Sequence, residues 1–147
     1  MPLKHHSVFN ASFLFPVLAL FLLTALFAQA TAVHATTFNL TCFDIYKMAD
    51  VLDDVNSNNA DDVINLSAGC SEFLASYTLN IEADNGHSLI INGNGATLAR
   101  NLAGGGHRVL TVSSGANVTI NALTISRGVG ESGAGIYNDG TLTLNHS

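Results

Sequence analysis

Two stretches near the end of the chain repeat one another. Residues 112–121, VSSGANVTIN, laid over residues 136–145, IYNDGTLTLN, are offset by 24 residues. The overlay places Val112 on Ile136, Val118 on Leu142, Ile120 on Leu144 and Asn121 on Asn145. One step earlier, LIIN at 89–92 matches VTIN at 118–121, 29 residues away, and the loop NLAGGGH at 101–107 accounts for the extra length. A period of 20–30 residues, built of short strands and tight turns, is the signature of a β-solenoid. A single coil cannot bury its own apolar residues; stacked on its neighbours, each coil adds Ile, Val and Leu to one continuous core. Equivalent letters then become vertical neighbours about 4.8 Å apart.

That stacking has a consequence for Asn92, Asn121 and Asn145. They are expected to form a column at one corner, with side-chain amides bonded along the axis as in other in-register stacks. The alternative is that they are ordinary turn asparagines. The sequons at Asn39, Asn65, Asn117 and Asn145 read as structural, because a chain this rich in Asn, Ser and Thr produces them by chance and paired strands are poor places for a glycan.

Upstream of the repeats the period changes. In FDIYKMADVLDDVNSNNADD the residues Ile45, Met48, Leu52 and Val55 recur at helical spacing, with Ala49 beside them. This predicts an amphipathic helix over about 44–56, with Asp44 as its N-cap. Lys47, Asp50, Asp53 and Asp54 fall on its outer, solvated face. A short strand follows at 63–66. An open β end invites another chain to add on, and this helix is suited to cover the first coil. Beyond it no second helical pattern occurs, and turns rely on Gly and Asn. The expected fold is mainly β: a right-handed parallel β-helix with an N-terminal amphipathic capping helix.

The first residues read as a secretory leader. Lys4, His5 and His6 precede an apolar block at 13–28, FLFPVLALFLLTALFA, and small residues follow in AQA and VHA. At 16 residues the block is short of the roughly 20 needed to span a bilayer, and Pro16 also argues against the alternative, an uncleaved anchor. A signal peptide over 1–35 is therefore expected, cleaved after residue 30 or 35, with no membrane span in the mature chain. Residues 36–147 would hold the cap and three to four coils. Because LNHS brings no capping helix or polar terminal coil, the expectation is the N-terminal piece of a longer solenoid, secreted or held at the outer cell surface. Cys42 and Cys70, alone in an exported chain, are most simply one disulfide, worth roughly 3 kcal/mol; two free thiols are the alternative. Such a bridge would pin the helix to the first coil.

Charge narrows the partners. Past the leader only Lys47, Arg100, Arg108 and Arg127 are basic, against eleven Asp and Glu. No basic stripe or aromatic cluster suits nucleic acid. No His stands near either Cys at metal-ligand spacing, so no metal or other cofactor is expected. NGNGATLAR and GGGHR lack the helix and the GKS or GKT of a phosphate loop. GAGIYNDG lacks the tandem nine-residue period of calcium-binding repeats. From Ser88 onward the acids are Glu131 and Asp139, eight residues apart in one coil with no mate in another. A glycosidase needs two carboxyls some 5–10 Å apart.

The helix followed by DDVINLSAGC, INGNGATLAR, NVTINALTISRG and GAGIYNDGTLTLNHS resembles secreted bacterial right-handed parallel β-helix proteins. These belong to the pectate-lyase-like superfamily, with arrays like those of polymorphic outer-membrane proteins and autotransporter passengers. The resemblance covers the whole chain after the leader. It implies the fold and leaves activity open, since this fold hosts lyases, hydrolases and adhesins. The expected function is adhesion or surface contact, toward carbohydrate or a host or cell-surface protein, with no catalytic constellation. The second reading is the N-terminal part of a polysaccharide lyase or glycoside hydrolase whose catalytic coils lie beyond residue 147.

Overall fold

A computed structural model describes residues 35–44, 46–70 and 73–147. Apart from Ala35, the expected leader lies outside these residues. So does Ile45 of the expected helix face.

The strands alternate inward apolar residues with outward polar ones, the period of a half-buried strand. The described residues form eleven strands and one short α-helix. The strands are β1 (Thr37–Leu40), β2 (Asp62–Leu66), β3 (Phe73–Ala75), β4 (Leu79–Ile81), β5 (Ser88–Asn92), β6 (Thr97–Arg100), β7 (Leu110–Val112), β8 (Asn117–Asn121), β9 (Thr124–Ser126), β10 (Ile136–Asn138) and β11 (Thr141–Asn145). The helix α1 (Met48–Val55) lies between β1 and β2. The strands assemble into three sheets, ordered β1-β2-β5-β8-β11, β3-β6-β9 and β4-β7-β10. Every pairing is parallel. The chain visits the first, second and third sheets in turn and returns one layer higher. This is a parallel β-solenoid of about four turns, as the repeat predicts.

The core is a set of vertical columns. In the first sheet Phe38, Ile64, Ile91, Ile120 and Leu144 stack in register. A second column runs Asp62, Leu89, Val118, Leu142. The side chains of Ile64, Ile91 and Ile120 are buried, and burying an aliphatic side chain of this size contributes about 1.5–3 kcal/mol. Phe73 is the large aromatic of the core, under Leu98 and Ile125 in the second sheet. Asp62 is the buried exception at the foot of its column. Its carboxylate accepts from the Thr36 amide at 2.9 Å and from Asn58 Nδ2 at 2.8 Å, so the desolvated oxygens are satisfied.

The repeat overlay holds in one sheet and slips in another. Leu142 pairs with Val118, Leu144 with Ile120 and Asn145 with Asn121, and Leu89–Asn92 pair with Val118–Asn121. Val112, however, pairs with Asn138, while Ile136 pairs with Leu110. The reason is the corner between the third and first sheets. One coil turns it with Ser113, Ser114, Gly115 and Ala116, the next with Asp139 and Gly140 alone. The shorter turn lies flat on the longer: a Cβ on Gly140 would come within 2.5 Å of the Ser113 carbonyl oxygen. Gly93 has the same role at the corner between the first and second sheets, where its added Cβ would meet Leu123 Cβ at 2.5 Å. A one-offset overlay cannot register a turn that changes length between coils.

Helix α1 is shorter than the helical spacing predicts, and Asp44 does not cap it. The residue preceding the helix is Lys47, which makes no side-chain capping bond. Asp44 instead turns back to the end of β1, where Oδ2 accepts from the Thr41 amide at 2.9 Å and the Thr41 hydroxyl at 2.8 Å. The Thr41 amide, just past the strand, takes the carboxylate that would otherwise cap the helix. The first sheet continues below α1 as β1, while α1 packs against β3 and β4. It thus stands where strands of the second and third sheets would otherwise lie.

Candidate functional site

Cys42 and Cys70 form a disulfide, 28 residues apart in sequence. It links the segment leading into α1 with the end of the turn after β2. Met48, Leu52 and Val55 are buried against the first coil, and Ala49 and Val51 pack at its edge. Lys47 Nζ pairs with Asp44 Oδ1 at 2.7 Å on the surface. The Asp44 carboxyl is held down from 3.8 to about 2, first by the hydrogen bond from Lys47 and then by those from Thr41.

The asparagine column is longer than the three residues singled out from the repeat. Asn65 Nδ2 donates to Asn39 Oδ1 at 3.0 Å, Asn92 to Asn65 at 2.9 Å, Asn121 to Asn92 at 2.9 Å and Asn145 to Asn121 at 2.8 Å. The structure therefore brings Asn92, Asn121 and Asn145 together and adds Asn39 and Asn65 beneath them. Every Nδ2 donates to the coil before it, so the ladder has a direction. It is half-exposed on the outer side of the first sheet. A sequence signal for the lower rungs exists: Ile-Asn recurs at 64–65, 91–92 and 120–121, with Leu-Asn at 144–145.

The titratable groups are dispersed. Glu131 and Asp139 are exposed. Asp61 Oδ1 accepts from the Ser88 amide and hydroxyl, at 2.7 and 2.9 Å, and these bonds lower its pKa in that order of weight. His87 Nδ1 stands 3.7 Å from the same oxygen. Among the described residues no group of three or more His, Cys, Asp and Glu could hold a metal ion, and no helix is long and apolar enough to cross a membrane. The arginines gather at the long loops between the second and third sheets. Arg100 Nε donates to the Arg127 carbonyl at 2.8 Å, and Arg108 lies over the Tyr137 ring, 4.5 Å from its centre. The 101–107 loop holds a 3₁₀ turn, Leu102–Gly104, whose start is closed by Asn101 Oδ1 accepting from the Ala103 amide.

Two clefts remain. One, of about 240 Å³, lies beside the last strand and is lined by Leu123, Ile125, Ile136 and Leu144 among others. The other, of about 130 Å³, lies between α1 and β4. Leu52 and Leu79 line it, with Tyr77, Asn80, Asp53 and Glu82. Asn56, which follows the helix, ties its two sides. Its Nδ2 donates to the Asn80 carbonyl at 3.0 Å, and its Oδ1 accepts from the Glu82 amide at 2.9 Å. No sequence motif announces this groove, because its residues come from a helix and a strand that meet only in the fold.

The fold defines the class: a cap-and-coil parallel β-solenoid. No family model matches the chain, and no match to it is found among curated proteins or solved structures.

Proposed function

We propose that this protein is an exported β-solenoid, secreted or held at the outer cell surface, that works by surface contact or adhesion. In this reading it stands with the pectate-lyase-like β-helices and autotransporter-passenger-like arrays that its sequence resembles. The observation that carries it is the regular outer side of the first sheet. There the asparagine ladder runs through five successive strands, and Thr119 and Thr143 repeat beside it. Along the ladder this surface offers a partner the same amide at every layer. The Cys42–Cys70 bridge supports an oxidising compartment, as does the leader-like start of the chain.

The test is expression of the full chain in a secreting bacterial host, followed by fractionation, N-terminal sequencing and binding of the recovered protein to intact cells and immobilised glycans. Recovery outside the cytoplasm with a new N-terminus after residue 30 or 35, and saturable binding, is the expected result. Retention in the cytoplasm with reduced cysteines overturns the export reading. Depolymerisation of a polysaccharide by the recovered chain overturns the contact reading.

A further inference from the structure

The groove between α1 and β4 has a composition that the solenoid itself does not require. Its floor is aliphatic, from Leu52 and Leu79, both buried. Tyr77 stands in its wall and is 58% exposed, a large aromatic left in water. Asp53 and Glu82 line it as well, and among the described residues neither carboxylate has a hydrogen-bond or ion-pair partner. The two bonds through Asn56 fix the helix end against β4, so the groove exists before anything enters it.

Charge indicates what it accepts. Residues 44–84 contain nine acids against one base, Lys47, and Lys47 is already paired with Asp44. The last turn of α1 carries no basic side chain; its end carbonyls are met by the Ser57 hydroxyl and the Asn56 and Ser57 amides, but no positive charge offsets the helix end where the groove begins. No basic residue lines the groove. An anionic ligand is therefore repelled and a cation attracted. At about 130 Å³ the space is well below the roughly 300 Å³ of a drug-sized site, and suits one long side chain.

We propose that this groove is a docking site for a lysine or arginine side chain projecting from a basic segment of a partner protein. The alkyl stem lies along Leu52 and Leu79, as long cationic side chains cover apolar surface. The charged head reaches Asp53 and Glu82, and the Tyr77 ring faces the cation. The inference does not depend on where the protein is displayed, so failure of the export experiment leaves it standing, and its own failure leaves the export reading standing.

The test uses the full chain with its disulfide intact and a fluorescein-labelled peptide of alternating Lys and Gly, followed by anisotropy at low salt. D53N with E82Q is expected to weaken binding at least about tenfold, and Y77A a few-fold. D50N with D54N removes the same charge from the outer face of α1 and is expected to change binding by less than about twofold. Peptide-induced amide NMR shifts should fall on 49–56 and 77–82. Equal losses in both double variants would mean attraction by net charge alone and would overturn the site. Absence of binding overturns it too. So does capture of a neutral oligosaccharide in place of the peptide, or a self-associated chain that D53N with E82Q turns into monomer. Asp53 and Glu82 are exposed, and unchanged thermal melts would confirm that the variants fold.

Discussion

Ile120 and Leu144 occupy the same position in successive coils, are register partners, and differ in everything that depends on a neighbour. Ile120 is 0% exposed and Leu144 is 49% exposed. At the opposite end of the stack Met48, Leu52 and Val55 of α1 pack against β3 and β4, where Phe73 is wholly buried, and Phe38 of β1 stacks on the wholly buried Ile64. Burial in a solenoid is thus conferred by the adjacent layer rather than by the strand's own pattern. The cap end also carries the disulfide and the densest side-chain bonding. Beside β11, which pairs with β8 and whose Asn145 Nδ2 donates to Asn121 Oδ1, lies the apolar cleft lined by Leu123, Ile125, Ile136 and Leu144.

This contrast sets a ranking of effects. Replacing Cys42 and Cys70 together by Ser opens a 28-residue closure and should cost about 3–4 kcal/mol on the chain-entropy model, read as a drop in denaturant midpoint that reductant reproduces in the parent. Ile120→Ala should cost about 3 kcal/mol in the same measurement, the middle of the range for a buried aliphatic truncation. If Leu144→Ala, expected at about 1 kcal/mol or less from its half-exposed place, proves equally costly, the two ends are not energetically distinct. Asn121→Ala removes bonds to both neighbouring rungs and should cost about 1–2 kcal/mol, against roughly half that for Asn145→Ala, which loses one. Equal costs would show that the rungs do not act as a ladder.

The smallest effect lies at the cap and is a matter of pH. The Asp44 pKa is depressed in the fold, so its contribution is present above the ordinary carboxylate value and is lost as pH falls from 3.8 toward about 2. Asp44→Asn should remove that contribution, lowering stability slightly at neutral pH, and the two proteins should converge as pH falls toward about 2, so that the variant's acid limb is flatter. Acid titrations of both proteins, followed by circular dichroism, check it. A curve unaltered below pH 4 would show that the Thr41–Asp44–Lys47 contact has no energetic weight.

Much of the architecture is legible because a solenoid writes its tertiary contacts into sequence spacing. Val118 over Leu142 and Asn121 over Asn145 are long-range contacts, yet each is visible as a recurring letter. The inward face of α1 is visible for a similar reason, since Met48, Leu52 and Val55 recur at the helical period. The slip between Val112 and Ile136 was hidden, because two residues vanish from one corner and the overlay carries a single offset. Of the lower ladder rungs, Ile64-Asn65 announces one through the same Ile-Asn pair, while Asn39 follows a Phe and carries no such signal. The groove was illegible: Asp53 and Glu82 are 29 positions apart, and nothing local says that a helix will lie beside β4.

Sequence alone determined the period, the alternation that turns Ile64, Ile91 and Ile120 inward, and the apolar stripe of the helix, all of which depend on backbone geometry that repeats locally. Tertiary structure decided where α1 begins, which carboxylate serves a strand end rather than a helix start, and which acids share a cleft. Those outcomes are competitions between groups distant in the chain. They are settled only when the first coil has closed and the stack has fixed which backbone amides remain to be satisfied.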